Sequence, residues 1–284
     1  MAAIFIKLSE REISPNALAF HRFWISTIIF ALWNQFNSLG QKKPDEQSQE
    51  CESPTSYPLL LLFGVGVSTS ISLYCWVWSL TWSGAANATL LRNFTPVFTI
   101  LGGWLLFGRQ FDRQFLMGSA IAIGGAIGIG LNDWQISVNT LQGDALALLC
   151  AVFYSGTLLI IEQLRNQFET TTIMLWRCAV ATVLSLPIML ITAERIFPYS
   201  IVGWFAVVAF AIVCQVLGQG LLAYCLKQLS SGFIGITLLL EPLITAYFAW
   251  VIFAENLSIF NGVAFIIVLL GIYLAKSSSS IVKE

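Results

Sequence analysis

Apolar residues in this chain come in long unbroken runs. Nine stretches recur, at 16–34, 57–80, 84–107, 114–131, 143–162, 172–193, 199–226, 231–254 and 257–275. A helix needs about 20 mostly apolar residues to cross the hydrocarbon core of a bilayer. The runs are continuous and do not alternate with period two, so they exclude a β-barrel. Backbone groups that find no water in lipid then leave a helical bundle as the only architecture. The fold class that follows is an all-α integral membrane protein. Short polar breaks such as "GRQFDRQ" and "EQLRNQFETT" separate most runs. The long polar stretch, 34–56, is poor in apolar residues and is expected to be a flexible loop.

Composition agrees with that pattern. Of 284 residues, 57% are hydrophobic and 10% charged, whereas a soluble domain carries about 25% charged residues. Too little charge is present to cover a water-facing surface, and the bilayer is the expected partner. A net charge of −1 without a basic block excludes a nucleic-acid footprint. The 10 Trp and 21 Phe suit rings anchored at membrane interfaces. Cys51, Cys75, Cys150, Cys178, Cys214 and Cys225 form no C-x-x-C pair, and His21 is the single histidine. No metal site or cofactor is expected. No P-loop, nucleophile elbow or H-E-x-x-H stretch points to an enzyme.

The chain repeats itself. "SGAANATLL" from Ser83 matches "SGFIGITLL" from Ser231, "TPVFTILGGWLLFG" from Thr95 matches "EPLITAYFAWVIFA" from Glu241, and "MGSAIAIGGAIGIGL" matches "NGVAFIIVLLGIYLA". Upstream, Arg22 falls opposite Arg177, and Met1 opposite about Gly156, inside a run of the second half. The register predicts a ten-helix design of two five-helix halves, 1–131 and 143–276, whose first helix is represented only by its last turns. A nine-helix protein is the alternative. An odd number of crossings per half inverts the second copy, and inverted repeats are a transporter signature. With the ends of the complete design cytoplasmic, the inner side holds Lys42, Lys43, Arg109, Arg113, Arg165, Lys227, Lys276 and Lys283, and the outer side Lys7, Arg11 and Arg195. That excess supports both ends inside, and the low charge and standard topology suggest a plasma membrane.

Each half carries a small-residue start, a mid-run proline, a glycine or small-residue stretch and a turn into a Gly-rich helix. The second copy reads "LLLEPLITAYFAWVIFAENLSIFNG", with Pro242 and Glu255; the first reads "LRNFTPVFTILGGWLLFGRQFDRQFLMG", with Pro96 and Gly108. In this the chain resembles, over nearly its whole length, the EamA-domain permeases of the drug/metabolite transporter superfamily. It departs from their pattern at Arg109, where they usually have Glu. The resemblance implies a ten-helix carrier that moves amino acids, other metabolites or drugs, by export, through alternating access. The alternatives are a non-transporting receptor or scaffold and an inactive truncated carrier.

Several residues are out of place in lipid. Arg92 lies eight residues into its run, roughly 12 Å deep at 1.5 Å per residue. A charge near mid-membrane marks a candidate functional site. Glu241 stands at nearly the repeat-equivalent position. In one reading Arg92 binds a substrate carboxylate, and Glu241 binds its amine or a coupling proton. In the other the two form a structural ion pair, or Arg92 snorkels to the outer interface. Pro96 and Pro242 each free a carbonyl one turn earlier, as a hinge or as a static kink. Asn87, Asn93 and Thr95 share the helix of Arg92. Gln215 and Gln219, four apart, share a helix face. Tyr74, Trp78, Tyr154, Trp176 and Tyr224 are candidate cavity walls, with interhelical packing as the plainer role. Ala120, Gly124 and Gly128 form a small-residue face that favours packing within the bundle; a homodimer through the helix 114–131 is the alternative.

Overall fold

The computed structural model describes residues 13–40, 56–131, 141–192, 195–245 and 259–278. The last turns of the first helix, most of the polar segment (41–55) and the Glu255 turn lie outside these residues. Every regular element described is helical: α1 Pro15–Gly40, α2 Ser56–Ser83, α3 Ala85–Arg92, α4 Thr95–Phe107, α5 Arg113–Leu131, α6 Leu141–Leu164, α7 Thr170–Thr192, α8 Ile201–Phe210, a π-helical stretch Ala211–Gln219, α9 Gly220–Cys225, α10 Ser231–Thr237 and α11 Ile259–Lys276. Among the described residues five spans are long and apolar enough to cross a membrane, and Ser231–Thr245 and Gly262–Lys276 are shorter apolar helices.

Four expectations need correction. The polar segment from 34 does not begin as a loop, because α1 continues to Gly40. No proline or glycine interrupts "NQFNSL", and Gly40 is the first residue suited to end a helix. The run 84–107 is not one helix but two, α3 and α4, broken at Asn93–Phe94. Pro96 lacks the N–H that would serve the Arg92 carbonyl four residues back, and the Thr95 hydroxyl donates to that carbonyl instead, at 2.7 Å. The second half breaks likewise at Leu238–Leu239. There Pro242 cannot serve the Leu238 carbonyl, which accepts from the Glu241 amide at 2.9 Å. The run 199–226 changes in its middle to the wider π-helix, so Gln215 and Gln219 sit on i→i+5 bonding rather than on an α-helix. Finally, Ala120 is exposed and a side chain at Gly124 would meet open space. The packed stripe of α5 is Gly118, Ala122 and Gly125 instead.

Contacts divide the chain into two compact units, each drawing on both sequence halves: Ile71–Glu162 with Cys225–Glu284, and Ala2–Ser70 with Gln163–Tyr224. In the first unit α5 packs along α11. A Cβ on Gly118 would lie 2.7 Å from the Gly271 carbonyl oxygen, and one on Gly271 2.7 Å from the Gly118 oxygen. Such close approach of two backbones is how membrane helices gain dispersion contacts without a hydrophobic drive. Around this seam Phe115, Ala126, Phe233, Ile236, Leu239 and Val268 are buried. Gly108, with φ +62°, closes α4. The Gly108 amide donates to the Trp104 carbonyl and the Arg109 amide to that of Gly103, an αL-type end that favours a glycine in the left-handed region.

That turn delivers Arg109 to Glu162 on α6. Its Nη1 donates to Oε1 at 2.7 Å, with the glutamate side chain 1% and the arginine 26% exposed. The departure from the family pattern at 109 thus has a local counterpart of opposite charge. Arg109→Ala is expected to destabilise the chain by about 3 kcal/mol, because it removes the cation paired with a buried carboxylate. Arg109→Ala with Glu162→Gln should recover part of the loss. Thermal melting in detergent checks both. Equal melting of the wild type and Arg109→Ala would show that the pair adds nothing.

In the second unit α1 packs on α7 and on the π-helical stretch. His21 is fully buried. Its Nδ1 accepts from the Trp24 indole N–H at 2.7 Å. An indole only donates, so the ring proton resides on Nε2, which donates to the Ile196 carbonyl at 2.8 Å. The imidazole is therefore neutral, and the rings of Phe20, Phe197 and Trp204 surround it. His21 ties the start of α1 to the segment ahead of α8.

Candidate functional site

The first unit holds most of the polar groups that the apolar runs do not explain. The break after α3 leaves Arg92 as the last residue of a short helix, half-buried. Its guanidinium carbon lies 5.3 Å from the Trp76 ring of α2 and 5.3 Å from the Tyr154 ring of α6. Each ring attracts a cation through its π face. Glu241, Cys150 and Tyr154 lie within electrostatic range of the guanidinium, which also hydrogen-bonds the Tyr154 side chain. Among the described residues no direct salt bridge joins Arg92 to Glu241, and Glu241 is exposed on its own helix. The structural ion pair is thus replaced by a looser arrangement, a cation between two aromatic rings with an acid nearby. Cys150 is held by the Ser72 hydroxyl, which donates to its carbonyl at 3.1 Å.

The other expected site residues divide clearly. Tyr74 and Trp78 stand together, ring centres 6.5 Å apart. Asn87 is buried and turned to Asp144 of α6, at 3.5 Å, where the Ser83 hydroxyl also bonds. It holds helix ends together. Asn93 caps the broken helix through its backbone amide. In the second unit Gln215 donates to the Cys178 sulfur at 3.6 Å. Gln219 accepts from Arg177 Nη1 at 3.0 Å, and Arg177 Nε donates to the Thr69 hydroxyl at 2.9 Å. Trp176 and Tyr224 are 42% and 60% exposed, as lipid-facing anchors are. Pro96 and Pro242 sit just past the two helix breaks.

Sequence reasoning passed over Trp76, Ser72, Cys150, Asp144 and the Arg177–Thr69 bond. The signal was present. Thr69, Ser72, Trp76, Ser79 and Ser83 are spaced three, four, three and four apart, which puts them on one face of α2. A stripe of hydroxyls and an indole through an apolar helix marks the side turned to polar neighbours.

An EamA-like transporter family model matches residues 1–131 and again 141–276. The chain belongs to the EamA-like transporter family. An uncharacterised transporter of Archaeoglobus fulgidus is 25% identical over 281 residues, covering 96% of this chain and 92% of that protein. The pseudopaline exporter CntI of Pseudomonas aeruginosa is 26% identical over 213 residues, 74% of this chain and 72% of the exporter. A solved structure superposes with a TM-score of 0.80 at 16% identity, over 97% of this chain and 92% of that one, and carries the same helical fold. This EamA-like protein is therefore a multi-pass membrane transporter, and the Arg92 cluster is its candidate solute site.

Proposed function

We propose that this EamA-like transporter exports small zwitterionic metabolites of amino-acid type by alternating access. Arg92 holds the substrate carboxylate, and Glu241 holds its ammonium or a coupling proton. The observation that carries this reading is the guanidinium held 5.3 Å from both Trp76 and Tyr154, in electrostatic range of Glu241 but without a salt bridge to it. A half-buried cation so placed is charge-balanced at a distance and keeps N–H donors for a ligand. The breaks ahead of Pro96 and Pro242 are the hinges, since both leave helix ends joined by turns rather than by a continuous hydrogen-bond ladder. The relative that exports pseudopaline supports the outward direction. The plasma membrane, cytoplasmic ends and a homodimer through α5 belong to the same proposal.

Export decides it. Cells carrying the chain are loaded with labelled amino acids and amphiphilic amines, and efflux is compared with cells carrying Glu241→Gln at equal surface expression. Efflux of at least one zwitterion, reduced about tenfold or more in Glu241→Gln, is the expected result. Efflux confined to amines without a carboxylate, or none for any compound, sinks the reading.

A further inference from the structure

The α2 stripe isolates one spot. Three of its hydroxyls have partners: Thr69 donates to the Val65 carbonyl at 2.7 Å, Ser72 to Cys150, and Ser83 to Asp144. The other two groups do not. The Trp76 indole nitrogen and the Ser79 hydroxyl are buried and find no hydrogen-bond partner among the described residues. Ser79 is fully buried. The two lie three residues apart on one helix face. Trp76 is also the residue whose ring approaches Arg92 at 5.3 Å. Buried donors are nearly always paired, and one left over calls for an explanation. Here both leftovers stand on the same face of α2, and Trp76 lies beside the cation of the candidate site.

We propose that Trp76 is a specificity-determining residue of this transporter, its indole N–H donating to the substrate carboxylate while Arg92 donates to the other oxygen. The proposal rests on the assignment of Arg92 as the carboxylate site and extends it. The cation–π attraction uses the ring faces and consumes no N–H of Trp76; the guanidinium has five donors, and its hydrogen bond to Tyr154 leaves others for a ligand. One planar group with two acceptor oxygens is what an N–H on α2 and a guanidinium on α3 together recognise. Charge narrows the class further. Arg92 and Glu241 sum to zero, so a zwitterion enters without adding net charge. A phosphate or sulfate dianion would meet one cation and the repulsion of Glu241. Ser79, donor and acceptor at once, supplies a further contact to the same end of the molecule. Substrates therefore carry a free carboxylate, and their amides and esters are discriminated against at Trp76.

The test uses the full chain in lipid nanodiscs and a panel of free amino acids, each against its carboxamide. The wild type is expected to bind the acid about tenfold or more tighter than the amide, as a hydrogen bond to a charged group gives. Trp76→Phe keeps a ring for Arg92 but removes the N–H. It should lower that preference about fivefold or more while amide affinity stays within about twofold. A Trp76→Phe preference equal to the wild type overturns the proposal. Arg92→Gln separates the two levels. If it loses the preference and Trp76→Phe does not, the Trp76 assignment fails and the Arg92 site stands. If neither variant moves it, or no amino acid in the panel binds, both fall. A second measurement removes dependence on the variant's folding. With 15N-indole tryptophan, the resonance absent from Trp76→Phe should move downfield on adding the tightest-binding amino acid and stay in place with its amide. A resonance unmoved by the acid overturns the proposal.

Discussion

Gly271→Leu is expected to leave little folded protein in detergent, while Gly124→Ala behaves as the wild type. The difference is geometric. A Cβ on Gly271 would lie 2.7 Å from the Gly118 oxygen and 2.7 Å from the Ala122 α-carbon, whereas one on Gly124 meets nothing within 4 Å. The obstacles at Gly271 are backbone atoms of α5, which have no rotamer to change. The helices must separate, and the α5–α11 seam, with Phe115, Ala122 and Val268 around it, loses its contacts. Overpacking a core costs about 1–3 kcal/mol when side chains can yield. Here they cannot, so the loss should exceed about 3 kcal/mol and take a large part of the 5–15 kcal/mol by which typical domains are stable. Membrane helices feel this strongly, because packing is most of what holds them together. The monodisperse fraction in size exclusion and the melting temperature measure it. Gly271→Leu melting with the wild type would mean that α5 and α11 do not rely on this close approach.

That seam also shows what the sequence could and could not say. Apolar runs predicted nine helical stretches, and the described residues hold a helix in each, because length and hydropathy alone decide insertion. Which face of α5 packs was not legible. "GSAIAIGGAIGIG" is small on nearly every side, so four-residue spacing fits Gly118–Ala122 as well as Ala120–Gly124–Gly128. Only the shape of the partner helix chooses between them. The break at Asn93–Phe94 was half legible. Pro96 announced a lost hydrogen bond, but whether the helix bends or ends depends on Thr95 taking up the Arg92 carbonyl, a choice of rotamer. The π-helical stretch, 211–219, carries no proline or unusual residue to announce it. For the site, Arg92 and Tyr154 could be named because a charge and a phenol stand out among aliphatic residues. Asn87 stood out equally and is occupied by Asp144, since polarity says that a group needs a partner and not which one it takes. Trp76 hid among ten tryptophans, most of which suit membrane interfaces, and only its place on the α2 stripe distinguishes it.

Arg92→Gln should lower transport per folded molecule at least a hundredfold, with no loss of folded protein. A guanidinium that binds a carboxylate contributes about 1.5–3 kcal/mol per charged hydrogen bond, and two such bonds, about 3–6 kcal/mol, correspond to about 10²–10⁴ in affinity. Glutamine keeps a similar reach and polar donors but no charge, so the fall measures the charge itself. Arg92→Lys restores the charge without the planar fork and should recover only part of the flux. The effect on stability runs the other way. Holding a cation among Trp76 and Tyr154 within an apolar bundle is unfavourable unless balanced, and the two rings and the nearby, exposed Glu241 offset only part of that. Its removal should therefore leave the melting temperature unchanged or slightly higher. A structural arginine gives the opposite pair of results, lower melting and flux that simply follows the amount of folded protein. Flux in proteoliposomes, divided by the folded fraction of the same preparation, distinguishes the two. A normalised flux within about twofold of wild type, less than 0.5 kcal/mol of differential binding, would remove Arg92 from the solute site and leave it a helix-packing residue. A hundredfold fall at unchanged melting is the signature of a group retained for its ligand rather than for the fold.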